Sequence, residues 1–321
     1  MTHPMPTNPV PTNPMSTNPV PTNAVPANPV PGSGPNPPVP AGAPRTRIGR
    51  RLAELRARGE KALIVYLVAG DPDPETSLAL LRAVAGAGAD VIELGVPFSD
   101  PLADGPVIQA GTARALRAGM TPAGVLDLAA RLRAGSPEVP LALMTYVNPV
   151  LRMGYRRFCA AAAAAGVDGL IVPDLPHEEA GELREAARAE GLDLIPLVAP
   201  TTPPERVAAV VREAGGFVYC VSLTGVTGPR ETLPEGFIPL VAEVRRHTEL
   251  PVAVGFGIAT PAQAARVARV ADGVIVGSAL VRLCGEGLPP ERLVEEAAAL
   301  VRGLKAALKA NAQGQPPAES A

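Results

Sequence analysis

The chain has 321 residues, with 29 Lys+Arg against 31 Asp+Glu, a formal net charge of -2 and a pI near 6.0. That balance excludes a polycationic face for nucleic acid or an anionic membrane, and no stretch approaches the ~20 apolar residues of a membrane span. Three cysteines, Cys159, Cys220 and Cys284, are too few and too irregularly spaced for a disulfide framework or a cysteine-rich zinc site, and fit a reducing compartment. The N-terminus has none of the sections of a signal peptide, so a soluble, cytoplasmic protein is expected. Hydrophobic residues make up 47% and aromatics only 3% with no Trp, so a large core must be built mainly from Ala, Val and Leu.

Residues 1–44 differ in kind from the rest of the chain. They hold fifteen of the chain's 39 prolines and no Asp, Glu, Lys or Arg, in a five-residue repeat (MPTNP, VPTNP, MSTNP, VPTNA, VPANP, VPGSG). Each proline fixes φ and removes an N–H, which predicts an extended, disordered tail, either inert or a ligand for a proline-binding module. Residues 310–321 (ANAQGQPPAESA) are expected to be a second disordered tail. The interval 45–309 leaves about 265 residues, the usual size of a (β/α)8 barrel.

Within it, a helix over Arg47–Arg58 precedes eight β-branched runs: Leu63–Val68, Asp90–Leu94, Leu141–Tyr146, Gly169–Pro173, Leu194–Val198, Phe217–Ser222, Val252–Gly255 and Gly273–Val276. These are continuous apolar runs, as strands buried on both faces require. Segments of helical period separate them, such as Glu178–Glu190 and Pro203–Ala214, many opened by Pro or Thr and closed by Gly. The pattern predicts a TIM barrel with an additional N-terminal helix. An open doubly wound sheet also alternates, but it needs no eighth strand, and no G-x-G-x-x-G follows the first one.

In a barrel the chemistry lies at the C-terminal ends of the strands. The second ends in Glu93-Leu-Gly-Val-Pro-Phe-Ser-Asp100-Pro-Leu-Ala-Asp104-Gly-Pro106. Glu93 is a carboxylate inside an apolar run, where burial raises its pKa toward the range of a general acid–base; the alternative is a buried ion pair, although no basic residue occurs from Ala83 to Ala113. Asp104 is a second carboxylate at the same mouth, or simply a turn-former. Strands seven and eight end in Gly255-Phe256-Gly257 and Gly277-Ser278, turns whose backbone N–H groups can approach a phosphate, or which are merely tight. Ser222–Arg230, with Thr227 and Gly228, reads as a mobile lid or an ordinary connection. Tyr66, Tyr146, Tyr219 and Phe256 lie near strand ends, where a flat apolar substrate could stack or where they simply pack the core. His3, His177 and His247 share no metal-ligand spacing, so no metal is expected.

ELGVPFSDPLADGP over Glu93–Pro106 resembles the signature of one family, the tryptophan synthase alpha subunits. AGDP (Ala69–Pro72), YVN (Tyr146–Asn148), PDLP (Pro173–Pro176), GVTG (Gly225–Gly228), GFGI (Gly255–Ile258) and GSA (Gly277–Ala279) follow in family order, covering about Arg45 to Leu308. The resemblance implies retro-aldol cleavage of indole-3-glycerol phosphate to indole and glyceraldehyde 3-phosphate. It makes Glu93 the general acid–base at indole C3 and the side-chain hydroxyl, and Asp104 the carboxylate at the indole N–H. It makes Gly228, Gly257, Gly277 and Ser278 the phosphate donors, Tyr219 a pocket residue near Glu93, and Thr227 the lid residue that closes toward Asp104. Tyr66 stands where the family would place Phe, adding a hydroxyl to the indole pocket. Asp100, Pro101 and Asn148 fall in segments that face a beta subunit. The resemblance further implies that this partner carries pyridoxal phosphate and receives indole through a tunnel, in an alpha2beta2 heterotetramer, while this chain needs no cofactor of its own.

Two rival readings compete with this one. Another phosphate-binding barrel, such as an isomerase or aldolase of small sugars, would use a Schiff-base lysine or a different carboxylate pair; Lys61, Lys305 and Lys309 all lie outside the strand runs, which argues against a lysine aldolase. A weakly active subunit that serves chiefly as an allosteric or indole-delivering partner would keep the same residues.

Overall fold

The computed structural model describes residues 45–221, 236–255 and 257–312. Helix α1 (Arg47–Ala57) comes first, started by Thr46, whose hydroxyl accepts from the Gly49 N–H. Strand and helix then alternate through β1 (Ala62–Val68), α2 (Pro74–Gly86), β2 (Val91–Gly95), α3 (Pro106–Arg117), α4 (Pro122–Gly135), β3 (Leu141–Met144), α5 (Val147–Met153), α6 (Tyr155–Ala164), β4 (Gly169–Ile171) and α7 (Gly181–Ala189). The second half runs β5 (Asp193–Leu194), β6 (Leu197–Val198), α8 (Pro204–Arg212), β7 (Val218–Val221), α9 (Phe237–Arg245), β8 (Val252–Gly255), α10 (Pro261–Ala268), β9 (Gly273–Val276), α11 (Ser278–Cys284) and α12 (Pro290–Ala312). Proline at the first turn of α2, α3, α4, α8 and α10 costs no intrahelical hydrogen bond and pre-sets φ.

Every strand pair is parallel, in the order β5-β4-β3-β2-β1-β9-β8-β7-β6. The two outermost strands of that order are consecutive in the chain, separated only by Ile195 and Pro196. The Ile195 N–H still donates to Leu170 O at 2.9 Å, while Pro196 O accepts from the Tyr219 N–H at 3.0 Å. Pro196 has no N–H to give to a ladder, so the expected single run Leu194–Val198 appears as two short strands that change partner at the proline. Among the described residues, nine strands therefore make the eight staves of a TIM barrel.

Both faces of the strands are buried, but with different occupants. In β1, Ala62 and Ile64 join Val91, Ala142, Ile171, Ile195, Phe217, Ala253 and Ile275 inside the barrel, where Ile48, Leu52 and Leu55 of α1 pack against them. Leu63, Val65 and Leu67 point the other way, into the shell of helices with Leu80, Leu81 and Val84. The period-2 alternation of a strand is thus present in space but invisible as polarity.

The end of the barrel opposite the strand C-termini is closed by charge. Asp90, Asp168 and Asp272, each just before a strand, accept from the N–H groups of Leu63 (2.7 Å), Leu141 (2.9 Å) and Val252 (3.0 Å) at the start of a neighbouring strand. Arg51 and Lys305 reach Asp90 at 2.7 and 2.6 Å, Arg47 and Arg133 reach Asp168 at 3.2 Å each, and Arg245 reaches Asp272 at 2.9 Å. The Thr46 hydroxyl donates to Asp193. Asp90, Asp168 and Asp193 thus hold α1 in place, which makes it the plug of the barrel rather than an appendage. Helix α12 runs to Ala312, past the boundary expected at Lys309. Residues 1–44 and 313–321, which include nearly all of both expected low-complexity tails, lie outside the described residues.

Candidate active site

Glu93 lies on β2 opposite Tyr66 of β1 on one side and Ala142 of β3 on the other. It is 1% exposed, and neither carboxylate oxygen has a hydrogen-bond partner among the described residues. Among the described residues there is no ion pair at Glu93, the alternative the sequence leaves open. Burial without compensation, and after it the charge of Asp104, push the Glu93 pKa up to about 8.

The side chain opens into a cavity of about 360 Å³. Asp104, Tyr66, Tyr219, Gly257, Gly277 and Ser278 line it together with Glu93, and Ile108, Leu197 and Ile275 make much of the apolar wall. The volume suits a bicyclic aromatic with a short polar tail.

Asp104 is positioned by the turn that starts α3, with Gly105 at the N-cap and Pro106 behind it. Its Oδ2 accepts from the Tyr146 hydroxyl at 3.0 Å, and that hydroxyl accepts in turn from the Ala103 N–H at 3.0 Å. The Asp104 carbonyl accepts from Gln109 Nε2 at 2.9 Å. Burial raises the Asp104 pKa to about 6, with the Tyr146 hydrogen bond pulling the other way. Further along α3, Arg114 grips Asp71 with two hydrogen bonds of 2.7 and 2.8 Å and donates to Val281 O at 3.0 Å. The helix behind Asp104 is thereby fastened to α11, which begins at Ser278.

The aromatic residues divide. Tyr66 and Tyr219 are buried cavity walls, and burial together with the two carboxylates holds both phenols well above their usual pKa, so they remain protonated. Each lies across a strand glycine: a Cβ at Gly95 would overlap the Tyr66 hydroxyl, and one at Gly255 would stand 2.6 Å from that of Tyr219. Tyr146 is not on the cavity wall; it sits behind Asp104 with Phe98 against its ring, centroids 5.6 Å apart. Sequence position alone places it with the stacking aromatics, and its role as holder of Asp104 carries no signal there.

Gly257 takes a positive φ of 61°, and Gly277 caps α11 without a side chain, so at both places the backbone faces the cavity unscreened. Thr227, Gly228 and Phe256 lie outside the described residues. Asp100 and Asn148 are exposed and, like Pro101, do not line the cavity; Leu102 beside them is 92% exposed. Among the described residues no group of three or more His, Cys, Asp or Glu is placed to hold a metal, and no helix is long and apolar enough to cross a membrane.

Comparison with known proteins gives the family of the chain. The family model described as tryptophan synthase alpha chain matches residues 52–309. The tryptophan synthase alpha chain of Chloroflexus aurantiacus is 54% identical over 264 residues, 82% of this chain and 98% of the relative, and that of Carboxydothermus hydrogenoformans is 55% identical over 238 residues, 74% and 89% of the two chains. Among solved structures, tryptophan synthase from Mycobacterium tuberculosis superposes with a TM-score of 0.76 at 42% identity, covering 82% of this chain and 98% of that one. The alpha subunit from Legionella pneumophila gives 0.73 at 38% identity, with the same coverage. The chain belongs to the tryptophan synthase alpha chain family.

Proposed function

We propose that Glu93 and Asp104 divide the work of the reaction this family catalyses, the retro-aldol cleavage of indole-3-glycerol phosphate to indole and glyceraldehyde 3-phosphate in L-tryptophan biosynthesis. The observation that carries this reading is Glu93 itself, a fully buried carboxylate with no hydrogen-bond partner among the described residues, aimed into a cavity with a second carboxylate. Nothing in packing rewards such a group, whereas proton transfer does.

At neutral pH Glu93 carries its proton, and Asp104 is largely ionised. Glu93 donates to indole C3, giving an indolenine cation whose N–H faces Asp104. The Glu93 carboxylate then takes the proton of the hydroxyl on the carbon attached to C3. The carbon–carbon bond breaks, the aldehyde forms, and Glu93 is protonated as it began. Asp104 stabilises charge that exists only in the transition state and intermediate, which is where electrostatic contacts accelerate a reaction. Tyr66 and Tyr219 flank the ring, and the backbone at Gly257, Gly277 and Ser278, with Gly228, holds the phosphate. Thr227 closes toward Asp104.

Acid, base and counter-charge all come from the chain's own side chains, and the reading assigns no cofactor to this subunit. Pyridoxal phosphate belongs to the beta subunit, which engages Asp100, Pro101 and Asn148 and receives the indole in a cytoplasmic alpha2beta2 heterotetramer. Residues 45–312 form the catalytic domain, with the proline-rich segment 1–44 and the segment 313–321 as tails. Replacing Asp104 by Asn tests the division of roles. Indole formation should fall by ~10²–10⁴ with substrate still bound, whereas a loss of folding stability alone would make Asp104 a turn-former.

A further inference from the structure

Helix α5 begins without a cap of its own. Tyr146 occupies the N-cap position, and its side chain makes no capping hydrogen bond. A first-turn N–H left without a partner costs a helix stability, and Ser, Thr, Asp or Asn normally supplies the missing oxygen. Here it comes from elsewhere in the fold. Asp174, in the loop after β4, accepts the Val147 N–H with its Oδ1 at 2.9 Å. The ends of β3 and β4 are tied beside it by the Thr145 N–H, which donates to Ile171 O at 3.0 Å.

Tyr146 is the residue immediately before that N–H, and its hydroxyl is the side-chain hydrogen bond that Asp104 receives. Its position is fixed by the first peptide of α5, by the Phe98 ring and by the Ala103 N–H. We propose that Asp174 is a positioning residue for the reaction: by capping α5 from the neighbouring βα loop, it holds the Tyr146 hydroxyl on Asp104. The proposal rests on the reading of Asp104 as the carboxylate that faces the indole N–H. Asp174 does not itself line the cavity, although Pro173 before it does, and its link to Asp104 runs through Val147 and Tyr146.

The Asp104 carboxyl is the reporter. The groups whose charge or hydrogen bonding bears on it are Glu93 from β2, Tyr66 from β1, Tyr219 from β7 and Tyr146 from the start of α5. Among these, Asp174 controls only Tyr146. Loosening Tyr146 removes the one interaction that lowers the Asp104 pKa, so its titration must move up.

The experiment follows the Asp104 carboxyl by NMR in the full chain labelled with ¹³C-aspartate, its resonance assigned by its loss in Asp104→Asn. In Asp174→Ala the midpoint should rise by about half a unit or more, because a hydrogen bond to an ionised group is lost. In Asp174→Asn, which keeps an acceptor oxygen for the Val147 N–H, it should stay at the wild-type position. In parallel, the ratio of kcat/KM in Asp174→Ala to that of the unaltered chain should be about threefold lower at pH 5 than at pH 8, the factor that half a unit produces. An unchanged Asp104 midpoint in Asp174→Ala, or an equal shift in both variants, overturns the proposal. The titration does not depend on turnover, so it decides the positioning role even if Asp104→Asn proves fully active and the proton roles assigned above fail.

Discussion

Asp104 and Glu93 share one cavity, and the charge of the first raises the pKa of the second, to about 8 beside an Asp104 near 6. The proposed division of roles requires Glu93 protonated and Asp104 ionised, so kcat/KM should be bell-shaped, falling below about 6 and above about 8. The two limbs belong to the pair, since the groups interact. In Asp104→Asn the acid limb should vanish, and the alkaline limb should move to lower pH because the neighbouring negative charge is gone. A pH–rate profile of the two chains checks both shifts. An alkaline limb that stays in place would mean that Asp104 does not act on Glu93.

The same burial carries a stability signature. Glu93 holds its proton more tightly folded than unfolded, so the fold binds more protons and loses stability as pH rises from the unfolded value near 4.5 through about 8. Glu93→Gln keeps the shape and cannot ionise. Its melting temperature should differ little from wild type at pH 4 and should exceed it at pH 9, a divergence readable by thermal denaturation. A constant difference across that range would show that Glu93 is not desolvated as described.

At the other end of the barrel the expectation is reversed. Asp90 is buried, accepts the Leu63 N–H and is held by Arg51 and Lys305. Asp90→Ala strands two cations and an N–H, which should cost on the order of 3–5 kcal/mol in chemical denaturation. The folded fraction should keep the KM of the unaltered chain, because nothing at that end touches the cavity. A selective rise in KM would contradict the separation of stabilising and reacting ends.

The two carboxylates are legible in the sequence because their surroundings are local. A lone Glu within an apolar run, with no cation from Ala83 to Ala113, can be recognised as buried and unpaired before any fold is known. The alternation of runs and helices likewise foretells the barrel. What cannot be read is set by contacts between distant segments. The partner change at Pro196 depends on which neighbours flank it. The aspartates at Gly88-Ala-Asp90, Gly166-Val-Asp168, Gly191-Leu-Asp193 and Val270-Ala-Asp272 form a visible repeat, yet its purpose appears only when Thr46, Arg47 and Arg51 arrive at the first three and Arg245 at the last. Tyr146 resembles a cavity wall in sequence because its hydroxyl partner lies 42 residues away.

The partner surface offers a further test. Asp100 and Pro101 share one loop with Asp104, so a subunit that grips the loop also steadies the carboxylate. Adding beta subunit should raise the rate of indole formation far more than it changes substrate affinity. Asp100→Ala should lose most of that activation, measured as the ratio of rates with and without beta subunit. Deleting residues 1–44 should leave both the ratio and the melting temperature unchanged, because an uncharged proline repeat cannot bury enough surface to dock. Equal rates with and without beta subunit at saturating substrate would make the chain a self-sufficient lyase.

Everything proposed for the reaction turns on the proton carried by Glu93. The direct measurement is indole released from indole-3-glycerol phosphate by Glu93→Gln, bound to beta subunit and saturated with substrate, at a pH where its melting temperature confirms that it is folded. Turnover should fall by ~10²–10⁴ with the substrate still bound, the usual cost of removing a general acid–base. Turnover close to that of the unaltered chain would remove Glu93 from the mechanism.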